Sequence, residues 1–195
     1  MTLPDRKALD RQAAYFPWGA GCLVIAGIVH LASVLALPRL ASKDAFARIS
    51  ALAQPSQVTL VPRFSPGAEL FPFEDPAMAV GVCRYDLAAA PLRLSTNVGN
   101  DGLLSISFHD RYGRVYYAMT DRAAARGRIE AVIVTQKQLA ILEEKDSDDE
   151  PQQELRLVTQ QPEGYVLFQA LAEQDGDYSA AQKLVAAVIC KPDGL

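Results

Sequence analysis

The sequence predicts a mainly β protein of the α+β class, carried on one N-terminal transmembrane helix and closed by a C-terminal helix. Three observations lead there. Between Arg11 and Arg39 lie 27 residues without a formal charge. Beyond Gln54, short apolar runs alternate with clusters of Gly, Pro, Asn and Asp, the pattern of strands and turns. Residues 179–189 (SAAQKLVAAVI) then place Leu184, Val185 and Val188 on one helical face before Pro192. The divisions that follow are an N-terminal segment (1–17), a membrane span (18–37), a juxtamembrane helix and linker (38–54), and a β-rich extracytoplasmic domain (55–195).

The span reads WGAGCLVIAGIVHLASVLAL, with His30 and Ser33 its clearly polar residues. At ~1.5 Å rise per residue, about twenty residues cross a hydrocarbon layer of roughly 30 Å. Tyr15, Phe16 and Trp18 mark the headgroup edge, and Pro38 and Arg39 close the far end. A core helix of this length would carry a polar stripe. A cleaved signal would be shorter and end in a small-x-small site, whereas Val34-Leu35-Ala36 runs into Leu37-Pro38. Arg6, Lys7 and Arg11 before the span balance Arg39, Lys43 and Arg48 after it, so the amino terminus itself tips the orientation toward N-in. In a bacterium this puts a single-pass protein in the inner membrane with its body in the periplasm. His30 stands without a carboxylate or second histidine on its helix, which suits a local hydrogen bond better than a proton relay.

After the span, Ser42 is the expected N-cap of a short helix presenting Ala45, Phe46, Ile49 and Leu52, ended by Gln54-Pro55. Residues 58–61, 77–85, 92–95 and 131–135 read as strands, while the prolines between 62 and 76 favour extended loop or edge. Leu104, Ile106 and Phe108 alternate with Ser105, Ser107 and His109, a half-buried antiparallel strand. Asn100-Asp101-Gly102 precedes it as a turn, and Asp110–Gly113 turns it into a return strand at 115–119. A second hairpin is expected between 154–160 and 165–171 through Gln161-Pro162-Glu163-Gly164. The acidic run at 143–150 lacks the glycine and ligand spacing of a calcium loop and reads as a solvated loop.

Composition narrows the chemistry. The 19 basic and 23 acidic residues give a net charge of −4 with no basic block, which argues against a nucleic-acid partner. Three cysteines and two histidines, without metal-ligand spacing, exclude a structural zinc framework; no metal or cofactor is expected. There is no nucleophile elbow and no phosphate loop. The catalytic candidates are therefore His109, Asp86 and Arg84, with Asp75, Asp110 and Arg111 able to join them if their strands are neighbours. Against that stands a surface histidine paired with Asp110 or Arg111, and an Arg84–Asp86 ion pair on one strand face. Tyr85, Tyr116, Tyr117 and Tyr165 are the ligand-binding candidates, although tyrosines in strands commonly pack at the core edge. Cys83 and Cys190 could form a disulfide between a strand and the terminal helix, or stay buried thiols.

The segments DPAMAVGVCRYDLAAAPLRLS, GNDGLLSISFHDRYGRVYY and RLVTQQPEGYVLFQALAEQDGDYSAAQKLV, in this order, resemble the bacterial domain-of-unknown-function 1254 family. The resemblance is nearest to that family's short, single-pass membrane branch and covers about residues 55–190. Asp86-Leu87, Tyr116-Tyr117 and Val166-Leu167-Phe168 are the matching positions. It implies a β-sandwich or jelly-roll-like module and a compartment, but no activity; longer members carry a companion domain with no counterpart in these 195 residues. Two functions remain open. One is a non-catalytic, membrane-tethered binding module whose partners are the bilayer and another membrane or envelope protein. The alternative is an envelope enzyme or small-ligand carrier with a tyrosine-lined pocket.

Overall fold

The computed structural model describes residues 6–40, 44–67, 74–99, 103–146 and 154–194. The chain divides into two compact units, Met1–Ser42 and Lys43–Leu195. The described residues of the first unit form a single helix, α1 (Arg6–Leu40), of which Ala14–Leu37 is long and apolar enough to cross a membrane. It begins earlier than the expected span and runs through Pro38 instead of stopping there, because one proline removes a single backbone bond from a long helix without ending it.

The second unit starts with α2 (Ala45–Leu52). Its N-cap is Asp44, whose carboxylate accepts the Ala47 N–H at 2.8 Å; the expected cap, Ser42, lies outside the described residues. Among the described residues nine strands follow: β1 (Val58–Leu60), β2 (Met78–Asp86), β3 (Leu92–Asn97), β4 (Leu104–Asp110), β5 (Val115–Thr120), β6 (Arg128–Val134), β7 (Leu155–Val158), β8 (Glu163–Leu171) and β9 (Ile189–Pro192). Two helices interrupt them, α3 (Gln136–Lys145) and α4 (Tyr178–Ala186). The strands form two sheets, ordered β1-β2-β8-β4-β5 and β7-β6-β3-β9. Between them Leu104, Ile106, Phe108, Val166 and Phe168 of the larger sheet meet Leu92, Leu94, Ala131 and Ile133 of the smaller in one buried core. The alternation read along 104–109 is the observed burial of β4, and the fold is the sandwich of an α+β protein.

Three expectations on the chain's path are corrected. The hairpin between 154–160 and 165–171 does not form: β7 pairs in parallel with β6 in the smaller sheet, whereas β8 lies between β2 and β4 in the larger. The Pro–Gly segment carries the chain across the sandwich, and Gly164 is already inside β8. Residues 143–145 of the acidic run belong to α3, whose start is fixed by a capping box between Thr135 and Gln138. Asp146 follows and pairs with Arg156 at 2.6 Å; the turn residues 100–102 and the acidic residues 147–150 lie outside the described residues. The terminal helix ends at Ala186, three residues earlier than expected, and Ile189–Pro192 becomes an edge strand on β3.

Candidate functional site

The larger sheet turns two different faces to the sequence candidates. On β2, Cys83 and Tyr85 point into the core while Arg84 and Asp86 point outward. On β4, Phe108 points inward and His109 outward. Because β8 intervenes, β2 and β4 are not neighbours and the proposed convergence of Asp75, Arg84, Asp86, His109, Asp110 and Arg111 does not occur. Arg84 and His109 do share one transverse row, but Tyr165 stands between them as the cross-strand partner of each. The Asp86 carboxylate accepts the Ala88 N–H at 3.0 Å and forms no ion pair with Arg84 among the described residues.

His109 is held by groups other than those expected. Its Nδ1 lies 3.2 Å from the Gly113 carbonyl oxygen, which can only accept, so Nδ1 carries the proton. Nε2 is then left to accept the Ser107 hydroxyl at 2.9 Å. The ring stacks on Tyr165 at 4.6 Å between centroids and 9° between planes. Burial lowers the histidine's pKa below its ordinary value, with the Gly113 carbonyl and nearby Asp110 opposing that shift. Asp110 is occupied with its own turn: it accepts from the Tyr112 and Arg114 N–H groups, each at 2.9 Å, and from Arg114 Nε at 3.0 Å. Arg111 meets Asp44 at 3.3 Å and lies over the Phe46 ring, joining the turn to α2. Ser107 and His109 thus have the contact of a nucleophile and its base. However, β4 is paired on both sides, so its regular ladder N–H groups are committed to β5 and β8 and offer no oxyanion cradle beside Ser107.

The four tyrosines separate into three environments. Tyr85 is fully buried, and its hydroxyl donates to the His109 carbonyl at 2.9 Å. Having spent its proton there, it accepts from Tyr116 at 3.2 Å. Burial pushes Tyr85 up to about 12 and raises Tyr116 as well, so both remain neutral at physiological pH. Tyr165 packs outward with Ile49, Ala53, Val61 and Val82, the cluster that seats α2. These three form no common pocket. Tyr117 differs. The register between β4 and β5 shifts between Phe108 and His109, a bulge that brings Tyr116 and Tyr117 both beside Phe108. Tyr116 is thereby tucked in, and Tyr117 is left 38 % exposed at the rim.

Tyr117 opens onto a groove of about 740 Å³ between the β5 edge of one sheet and β6–β7 of the other. Met119, Ile129 and Leu155 contribute apolar lining, and Arg126, Arg128 and Glu130 contribute charged lining. At the other margin of the sandwich α4 packs against β1, β2 and β8, so that side is filled. There Cys83 on β2 and Cys190 on β9 are joined by a disulfide between the two sheets, their Cα atoms 6.6 Å apart. Cys190 makes this link from a strand, not from the terminal helix. A second concavity of about 840 Å³, beside α4, is lined by Leu103, Asp121, Leu171, Glu173 and Leu184. Neither hollow contains His109, Arg84 or Asp86. No cluster of three or more metal-ligating side chains occurs among the described residues.

No family model matches this chain, and no curated protein matches it. Its fold is similar to the crystal structure of the VPA0106 protein from Vibrio parahaemolyticus, with a TM-score of 0.51 and 11 % identity over 77 % of this chain and 34 % of that one. A protein from Burkholderia cenocepacia with no characterised function gives a TM-score of 0.44 at 14 % identity, over 76 % of this chain and 38 % of that one. The chain therefore spans little more than a third of the solved proteins it matches.

Proposed function

We propose that this is a bacterial inner-membrane protein of the domain-of-unknown-function 1254 kind, whose periplasmic sandwich is a binding module without catalytic activity. The observation that carries this reading is the separation of the catalytic candidates from concave surface. His109, Arg84 and Asp86 lie on the outer face of the larger sheet, and the groove that could hold a ligand contains none of them. Ligand sites are typically concave and combine apolar surface with a few placed polar groups, as the groove does and the histidine row does not. The disulfide supports an oxidising compartment for the body, because such bonds persist in periplasm and not in cytosol. The apolar stretch Ala14–Leu37 supports retention in the membrane.

The Ser107–His109 contact favours one second reading, an acyl-transfer enzyme. A fluorophosphonate probe separates the two. Full-length protein in washed membranes should leave Ser107 unlabelled, while a photoreactive amino acid placed at Tyr117 should give a discrete adduct. Labelling of Ser107 that disappears in His109→Gln, or no adduct from position 117 in native membranes, overturns the binding-module reading.

A further inference from the structure

We infer that the groove between β5 and β6–β7 binds a single-chain anionic amphiphile, a long-chain fatty acid, with its carboxylate at Arg126 and Arg128. This rests on the binding-module reading and gives it a ligand class. The lining mixes apolar and polar surface in about equal parts: Tyr117 and Leu155, with the small exposed edges of Met119 and Ile129, supply the apolar part. Sheets in a sandwich pack about 10 Å apart, so a cleft at their common edge admits one acyl chain more readily than two side by side. A volume of about 740 Å³ falls in the usual range of small-molecule sites, roughly 300–1,000 Å³.

The rim supplies the charge preference. Arg128 holds Glu130 at 2.6 Å, whereas Arg126 has no ionic partner among the described residues. Two guanidinium groups against one carboxylate leave one positive charge at a groove whose lining is about half apolar. A guanidinium presents paired donors that match a carboxylate in a fixed geometry.

The backbone under Arg126 points the same way. Ala125 and Arg128 exchange both backbone hydrogen bonds at 3.0 Å, closing a two-residue turn with Arg126 at φ 54° and Gly127 at φ 76°. Turns of this kind favour Asn, Asp or Gly at the first position, since a branched-off side chain is strained at positive φ. An arginine kept there at a cost to the fold is accounted for when its side chain has a task at the groove mouth.

The probe is a palmitic acid analogue bearing a mid-chain diazirine and a terminal alkyne, photolysed with the full-length chain in phosphatidylcholine nanodiscs and mapped by peptide mass spectrometry. Adducts on β5 and β6 residues lining the groove are expected, displaced by excess palmitate but not by methyl palmitate. Arg126→Ala with Arg128→Ala should lower them about five-fold or more. Arg126→Gly should lower them while raising the melting temperature, which separates lost binding from lost folding. Adducts confined to residues 14–37, or insensitive to the double substitution, or displaced equally by the ester, overturn the assignment. Those outcomes leave the binding module standing with another ligand, whereas fluorophosphonate labelling of Ser107 removes the module itself.

Discussion

The Tyr85 hydroxyl donates to the His109 carbonyl oxygen at 2.9 Å across the face of Gly164. The two strands that carry these groups are separated by β8, and the bond passes where a side chain on β8 would stand. A Cβ added at Gly164 would meet both Tyr85 Oη and the His109 carbonyl oxygen, neither of which can retreat without opening the core. Gly164→Ala should therefore destabilise the body by about 3 kcal/mol. Chemical denaturation followed by tyrosine fluorescence measures it, and a loss no larger than that of an exposed Gly→Ala control such as Gly176→Ala would show the site to be soft.

The disulfide should be both a stabiliser and a marker of compartment. Cys83 and Cys190 close a separation of 107 residues, and breaking a native bridge of this kind costs roughly 2–5 kcal/mol. Paired Cys83→Ala and Cys190→Ala should lower the denaturation midpoint by that amount. In cells, thiol trapping should find the bond formed in the full-length protein and absent when the body is expressed in a reducing cytoplasm.

Acid should weaken the fold through His109. Burial keeps this imidazole below its ordinary 6.5, so the unfolded chain takes up a proton before the folded one does. The corresponding stability is complete above about pH 6.5 and declines as the pH falls from there toward the lowered folded value. His109→Gln should flatten the stability profile across that window. A histidine NMR titration with a midpoint at or above 6.5 would contradict the arrangement.

Relieving the turn should stabilise the body. Arg126→Gly removes the penalty of a side chain at φ 54° and should gain about 1 kcal/mol, whereas Arg126→Ala keeps the strain and should gain nothing. Thermal melts of the two variants side by side give the comparison.

What was legible in the sequence were features decided locally. The alternation of Leu104, Ile106 and Phe108 with Ser105, Ser107 and His109 needs no partner to be read, because a strand with one face buried fixes its own period. The capping box at Thr135 and Gln138 is equally local, yet the sequence does not announce α3, because its apolar stripe is weak and none of its side chains is buried. Strand β9 begins where a helical period that continues through Val188 gives out, and it takes the neighbouring β3 and the bond from Cys190 to make it a strand. The misread hairpin shows the same limit, since Gln161-Pro162-Glu163-Gly164 has turn chemistry that says nothing about which sheet the next strand enters. The division among the tyrosines depends on a bulge opposite Phe108 and His109, and alternation alone would have put Tyr116 and Tyr117 on opposite faces. Alternation alone puts His109 on the outer face, but its partners Ser107 and Gly113 are masked in the sequence by the charged residues next to it.

The bridge between the sheets also imposes an order of events. Synthesis delivers Cys83 early, and its partner comes 107 residues later, on the last strand described. During that interval the thiol has to wait reduced, with Cys22 on the first helix the sole earlier cysteine. Closure is thus a late step that a prematurely halted chain could never reach, and the sealed sandwich certifies that translation ran past Cys190.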